Sequence, residues 1–218
     1  MSYDVEWNRK DEQKMCTRYY MELSPELRPY VEAAYRSPLR EKMITRFGRQ
    51  MITEGEVRPG DIVPVIATSQ KGNPAVYPMV FGFPTKTGNL VLNARTETAA
   101  QKPMFREAWS RRRCIIPASW YYEWEHLVHG DGKKKTGDKY MFQSENSQIT
   151  WLCGLYRIDE GFPCFVILTK DAPDEVRKIH DRMPLIIPSG AVSRWIDPAS
   201  DPKEFPQLAV NHLFYEKV

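Results

Sequence analysis

Cys16 stands directly after an internal methionine, Met15. If Met15 is the start of translation, or if residues 1–15 are cleaved off, Cys16 becomes an N-terminal residue carrying an α-amine beside a thiol. An α-amine has a pKa of about 7.7–8.0, so near neutral pH a useful fraction is free to attack an aldehyde and form an imine. The thiol two atoms away can then close a five-membered thiazolidine ring. Taken alone, a lone cysteine is more often an inert buried side chain.

Three further stretches place reactive side chains in a useful context. Asn93-Ala94-Arg95-Thr96-Glu97-Thr98 sits where a strand gives way to a helix, and reads either as a functional loop or as an ordinary helix start with a first-turn acid. Tyr121-Tyr122-Glu123-Trp124 sets a carboxylate among aromatics, where partial desolvation favours acid–base work; the plain alternative is an outward glutamate on an edge strand. Ile179-His180-Asp181-Arg182-Met183-Pro184 puts a histidine beside two charges at the end of a short helix, a position also typical of a surface cap. Lys102–Arg113 and Lys133-Lys134-Lys135 are basic clusters. With Phe105, Trp109, Trp120 and Tyr121 nearby they suit a single-strand groove as well as a solvated face. His126 and His129 lack a second ligand pair at zinc spacing, so neither a metal nor a cofactor is expected.

These residues need elements to hold them. The chain has 218 residues, 42% apolar and 27% charged, which suits one domain with a sizeable core, and no apolar run approaches a membrane span. Its net charge of +3 says little about nucleic acid as a total. Cys16, Cys114, Cys153 and Cys164 show neither zinc pairing nor disulfide density, so thiols in a cytoplasm are expected. Residues 1–15 read as a polar extension with no export or import signal. Helices are expected over about 25–36, capped by Ser24 with Pro25 at its first position, over 98–112 and 174–180, and over 189–195 with Ser189 as cap. Strands are expected at Ile62–Ile66, Val76–Phe83, Leu90–Leu92, Cys114–Pro117, Trp120–Glu125, Lys139–Gln143, Thr150–Ile158, Cys164–Thr169 and Leu185–Ile187, while 40–60 reads as polar and mixed. Many short strands without βα alternation predict a single α+β domain over 16–218: an antiparallel, barrel-like sheet core with three or four flanking helices.

In order along the chain, Met15-Cys16-Thr17-Arg18, the Asn93–Thr98 stretch, Arg112-Arg113-Cys114-Ile115-Ile116-Pro117-Ala118, Tyr121–Trp124, Leu168-Thr169 and His180–Pro184 resemble the motifs of the SOS response-associated peptidase (SRAP) family, from Cys16 to about Trp195. The resemblance implies an abasic-site shield that binds single-stranded DNA and joins its N-terminal cysteine to the ring-opened abasic sugar, with an autopeptidase activity that exposes the cysteine. Cys16 would then be the crosslinking nucleophile, and Asn93 a hydrogen-bond partner near the sugar. Arg18 and Arg95 would hold flanking phosphates, with Arg112 and Arg113 adding to the DNA surface. Glu123 would be the proton shuttle and His180 the group assisting ring opening and reversal, with Thr169 lining the pocket. A cytoplasmic monomer is implied. Cys16-Thr17-Arg18 departs from the family's usual Cys-Gly-Arg. Phe81-Gly82-Phe83-Pro84 replaces a Trp-Gly-Leu-Ile-Pro-type stretch, so Phe81 and Phe83 would be the altered wedge against the bases. Two alternatives stay open: a noncovalent DNA-binding module, and a cysteine peptidase acting on other proteins.

Overall fold

Ile62–Thr68, Arg113–Ala118 and most of Phe162–Asp171 are buried on both faces of their strands, the pattern of strands with packing on either side. The computed structural model describes residues 17–128, 134–145 and 147–218. In chain order its elements are β1 (Arg18–Met21), α1 (Arg28–Tyr35), α2 (Pro38–Phe47), β2 (Gly55–Val57), β3 (Ile62–Thr68), β4 (Pro74–Phe81), β5 (Phe83–Pro84), β6 (Leu90–Val91), β7 (Asn93–Arg95), α3 (Thr96–Ala99), α4 (Pro103–Arg111) and β8 (Arg113–Ala118). There follow β9 (Trp120–Val128), β10 (Lys134–Ser144), β11 (Thr150–Asp159), β12 (Phe162–Asp171), α5 (Asp174–Arg177), β13 (Arg182–Pro184), α6 (Val192–Ile196) and β14 (Leu213–Lys217).

Strands β11, β8, β3, β4 and β12 pair in succession, and β12 pairs back to β11, so five strands close into a barrel. The β12–β4 junction is its parallel step. The first half of β12 lies between β4 and β11, and its second half between β7 and β13. A second sheet, β14-β10-β9-β1-β2, continues from β8 through Ser119, whose N–H donates to Tyr20 O at 2.8 Å. Tyr19, Met21, Tyr121 and Phe142 of this sheet are wholly buried, with Tyr121 stacked on Phe142 at 5.0 Å and Tyr19 tilted against Phe81 of the barrel at 6.0 Å. Fully burying one such side chain contributes roughly 1.5–3 kcal/mol. The α+β, barrel-cored expectation therefore stands.

Several local expectations need correction. Pro38–Phe47, read as mixed, is a helix: Ser37 accepts the Leu39 N–H and Gly48 closes it at φ 66°, yet within it Met43 is the one buried residue, so its apolar signal is thin. Ser24 accepts the Leu27 N–H at 3.2 Å, but the helix begins at Arg28. The expected 98–112 helix is broken between Ala99 and Pro103, because a proline cannot continue the i→i−4 ladder. The 174–180 helix ends at Arg177; β13 covers Arg182–Pro184, and the expected 185–187 stretch pairs as an antiparallel bridge, Ile186 opposite Leu152, with the Cys153 N–H donating to Leu185 O at 2.8 Å. Ser189 caps nothing with its side chain; a 3-10 turn at Ser189–Ala191 leads into α6. The described C-terminal segment adds β14, whose single buried residue, Leu213, gave no alternation to read.

Arg113, expected on a DNA surface, is 1% exposed. It donates to the carbonyls of Trp195 (2.7 Å), Trp109, Ser110 and Ser200 (each 3.0 Å) and Asp197, tying β8 to α4, α6 and the segment after it. Phe81 and Phe83, expected as a base wedge, are fully buried: Phe81 stacks on Phe165 at 5.1 Å, and Phe83 lies against Phe105 at 6.1 Å. Gly82 between them has φ 108°, a turn that lets both rings face inward.

Gly154 marks the closest approach in the barrel, since a Cβ there would meet Ile116 Cδ1 at 2.6 Å and the Val166 carbonyl at 2.8 Å. Gly154→Ala should cost about 1–3 kcal/mol in urea unfolding, and an unchanged midpoint would contradict the packing described. Arg113→Met, which strands buried carbonyls, should cost roughly 3 kcal/mol or more, whereas Arg112→Ala should stay within about 0.5 kcal/mol; equal losses would show that Arg113 is not structural. Burial pushes the Cys114 and Cys153 thiols well up and Cys164 to about 11. Iodoacetamide should therefore leave these three unmodified in the folded protein and label them only after denaturation.

Candidate functional site

Glu123 occupies the middle of β9, opposite Tyr140 of β10. With β1 on its other side, β9 is a central strand, and Glu123 is 2% exposed. This removes the edge-strand alternative. Tyr121 and Glu123 lie on the buried face of β9, two residues apart as pleating requires. The antiparallel register pairs Tyr19 with Tyr121 and Arg18 with Tyr122. One further step brings Thr17, itself buried, level with Glu123. The residue bonded to Thr17 is Cys16, which lies outside the described residues together with the whole 1–15 extension and the Lys133 end of the second basic cluster.

His180 is 2% exposed, so it is no surface cap. Its backbone N–H donates to Val176 O at 3.0 Å as α5 ends, and its Nδ1 accepts the Arg182 N–H at 3.0 Å. The His126 N–H donates to Ile179 O at 3.0 Å, stitching β9 to this loop, and the two imidazoles meet at 4.0 Å between ring centres. Between Trp124 and His126 the β10 partner carries one extra residue, so a bulge lies beside His126. Thus β9 carries Glu123 and also reaches the His180 loop.

Thr169, fully buried near the end of β12, pairs with Arg95 of β7 on one side and Pro184 of β13 on the other, and Ile167 pairs with Asn93. Asn93 is half-buried, while Arg95 is exposed at the rim. The two flanking motifs are clamped together by Arg182. Its guanidinium donates to both Glu97 oxygens at 2.8 and 2.9 Å, to the Thr169 carbonyl at 2.9 Å and to Asp171. Burial is the largest influence on the Glu97 carboxyl and acts to raise it, but the Arg182 hydrogen bonds and charge, with hydrogen bonds from its own N–H and from Thr96, together hold it below the usual range. The geometry gathers Asn93, Thr169 and His180 around β12 and its neighbours. It does not bring Phe81, Phe83 or Arg113 to them. Arg112 caps the C-terminus of α4 just before β8, paired with Glu107 at 3.1 Å.

A surface flanks Glu123 in which Trp120 and Arg18, expected at a strand-binding groove, are joined by Tyr20 and Lys139, which were not. Tyr20 and Trp120 stack at 4.5 Å with planes 4° apart, the Arg18 guanidinium lies over Trp124 at 5.2 Å, and Lys139 Nζ sits 3.6 Å from the Tyr122 ring centre. Arg18, Arg58 and Lys139 converge on Glu56 at 3.3, 3.0 and 3.3 Å. Burial acts to raise the Glu56 carboxyl, and these cations pull it down further than burial lifts it. The signal was present in the alternation of Arg18 with Tyr20 and of Trp120, Tyr122 and Trp124, which share the face opposite Tyr19, Tyr121 and Glu123. Flat rings interleaved with cations suit stacked bases and phosphates.

Among solved structures, one from Bacteroides thetaiotaomicron superposes with a TM-score of 0.68 at 21% identity, covering 93% of this chain and 92% of that one, a likeness of fold. The abasic site processing protein YoqW of Bacillus subtilis (strain 168) is 37% identical over 129 residues, 56% of this chain and 54% of its own length. The abasic site processing protein YedK of Escherichia coli (strain K12) is 30% identical over 128 residues, with the same coverage. The aligned part therefore spans about half the length of these curated relatives. Residues 15–216 match the family described as SOS response associated peptidase (SRAP), and with that match running nearly the whole length of the fold, the chain belongs to the SRAP family.

Proposed function

We propose that this protein captures abasic sites in single-stranded DNA by covalent attachment to Cys16. The observation that carries the reading is the buried Glu123 carboxylate, held level with Thr17 by the β1–β9 register. Cys16 is the residue that precedes Thr17 in the chain. The name its relatives carry, abasic site processing protein, supplies the substrate class.

The ring-closed abasic sugar first opens to an aldehyde, with His180 moving the hydroxyl proton. The Cys16 α-amine adds to the aldehyde carbon, and the carbinolamine loses water to give an imine. Glu123 takes a proton from the ammonium nitrogen that this addition creates and delivers it to the oxygen that leaves as water. The Cys16 thiol then adds to the imine carbon, its proton passes to the nitrogen, and a thiazolidine closes with no net change in oxidation state. Asn93 and Thr169 shape the sugar pocket, and Arg18 and Arg95 face the flanking phosphates. The stacked Tyr20–Trp120 pair and the Trp124 ring take the base-stacking role that Phe81 and Phe83 cannot fill. Arg112 adds positive potential, whereas Arg113 stays a structural residue.

The α-amine is free only when Cys16 is N-terminal, so hydrolysis of the Met15–Cys16 bond, assisted by Glu123, is the autopeptidase step of the same site. The protein acts as a monomer in the cytoplasm, on the nucleoid when DNA is damaged. A noncovalent second reading is favoured by the cation–aromatic surface, which needs no chemistry to bind a strand. No arrangement in the described residues favours a peptidase acting on other proteins.

Incubation with a single-stranded oligonucleotide bearing one abasic site should give an intact-mass adduct. It should be absent for Cys16→Ala and form at least about 100-fold more slowly for Glu123→Gln, while both variants retain salt-sensitive DNA binding. No adduct from a chain whose N-terminus is verified as Cys16 would leave the noncovalent reading standing instead.

A further inference from the structure

His126, His180 and Asp181 lie apart in the sequence but together in space, each offering a ligand atom within 4.8 Å of the others. We propose that these three residues form a binding site for a first-row divalent transition-metal ion of the zinc or cobalt type, at which the ion competes with the proton chemistry of His180. Two imidazole nitrogens and a carboxylate oxygen are a donor set such ions favour.

The details support ligation over a chance cluster. The Arg182 N–H donates to His180 Nδ1 at 3.0 Å, so this nitrogen is an acceptor whose single lone pair an ion would take over from that N–H. Asp181 Oδ1 lies 3.1 Å from the same Nδ1. Two acceptors thus face each other, an arrangement that a cation between them relieves. Bonds of about 2.0–2.2 Å at tetrahedral angles separate ligand atoms by roughly 3.3 Å, so the His180–Asp181 edge already has the required length. His126 must close in by up to roughly 1.5 Å to complete the third vertex. Its ring already touches His180, and its strand is anchored to the loop through Ile179 O. Asp181 is 67% exposed and His126 half-buried, giving an aqueous ion access to the buried His180. The nearby Arg182 charge is offset by Glu97 and Asp171 and does not repel a cation. On binding, the ion sheds water, takes the lone pair now shared with the Arg182 N–H, and leaves its fourth position to water.

The ligand proposal stands apart from the proposed capture chemistry; only its inhibitory consequence rests on that reading. The test uses the full chain carrying Cys16→Ser, so that no N-terminal thiolate contributes, titrated with cobalt(II) and followed by its visible absorption. A one-to-one tetrahedral band is expected, with affinity lowered about tenfold or more by His126→Gln and by Asp181→Asn. Asp181→Asn changes an exposed side chain and keeps the test informative if His126→Gln folds poorly. No band, or a band equally strong in both variants, overturns the site. The metal-free crosslinking assay on the parent chain is unaffected by either result, so failure here is distinguishable from failure of the capture reaction.

Discussion

The pairing of β1 with β9 is the constraint on which the site depends. A one-residue slip in an antiparallel pair turns every side chain to the opposite face. Here it would send Tyr19 and Thr17 to solvent and Arg18 and Tyr20 into the core. The buried Tyr19–Phe81 contact, the Ser119 N–H bond to Tyr20 O and the Ser119 Oγ that accepts the Glu22 N–H at 2.8 Å all resist that slip. Fixing the register fixes which backbone stands beside β9 where it carries Glu123. The opposite face of the same pair carries the cations and flat rings. One register therefore sets both the face that carries Glu123 and the face that carries the cations and rings.

Arg182 is the second organising residue. It joins the loop bearing His180 to the helix start bearing Glu97 and to the end of β12. A buried cation with carboxylates on two sides is costly to leave half-paired, so the three segments move as one unit or not at all. The pair is depressed on the Glu97 side and raised on the Arg182 side. Its contribution is therefore present at neutral pH and is lost as pH falls through the lowered Glu97 pKa. Arg113 does analogous work for the far side of the barrel using carbonyls alone, which explains why a basic run beside a β-strand is no guide to a DNA surface.

Much of this was legible in the residues. The barrel strands announced themselves by apolar runs and alternation, and the candidate side chains were singled out by type and neighbourhood: Glu123 among aromatics, His180 before a forced extended residue. Orientation was harder to read. Phe81 and Phe83 occupy a stretch where the resemblance implied base contact, but Gly82 at positive φ turns both rings inward, and nothing in the local sequence distinguishes an inward ring from an outward one. His126 had no partner at metal spacing along the chain because its partners arrive through tertiary structure, across the β9-to-loop hydrogen bond. The helix Pro38–Phe47 and strand β14 were obscure for a plainer reason: each buries one residue, too few to leave a period.

The central claim is that the amine attacking the abasic aldehyde belongs to Cys16. Borohydride trapping of the transient imine, followed by peptide mapping of the reduced adduct, tests it most directly. The account predicts that the sugar maps to the α-nitrogen of residue 16 and that a chain with its N-terminus blocked ahead of Cys16 traps nothing. Reduction products on a lysine, or equal trapping by the blocked chain, would contradict it.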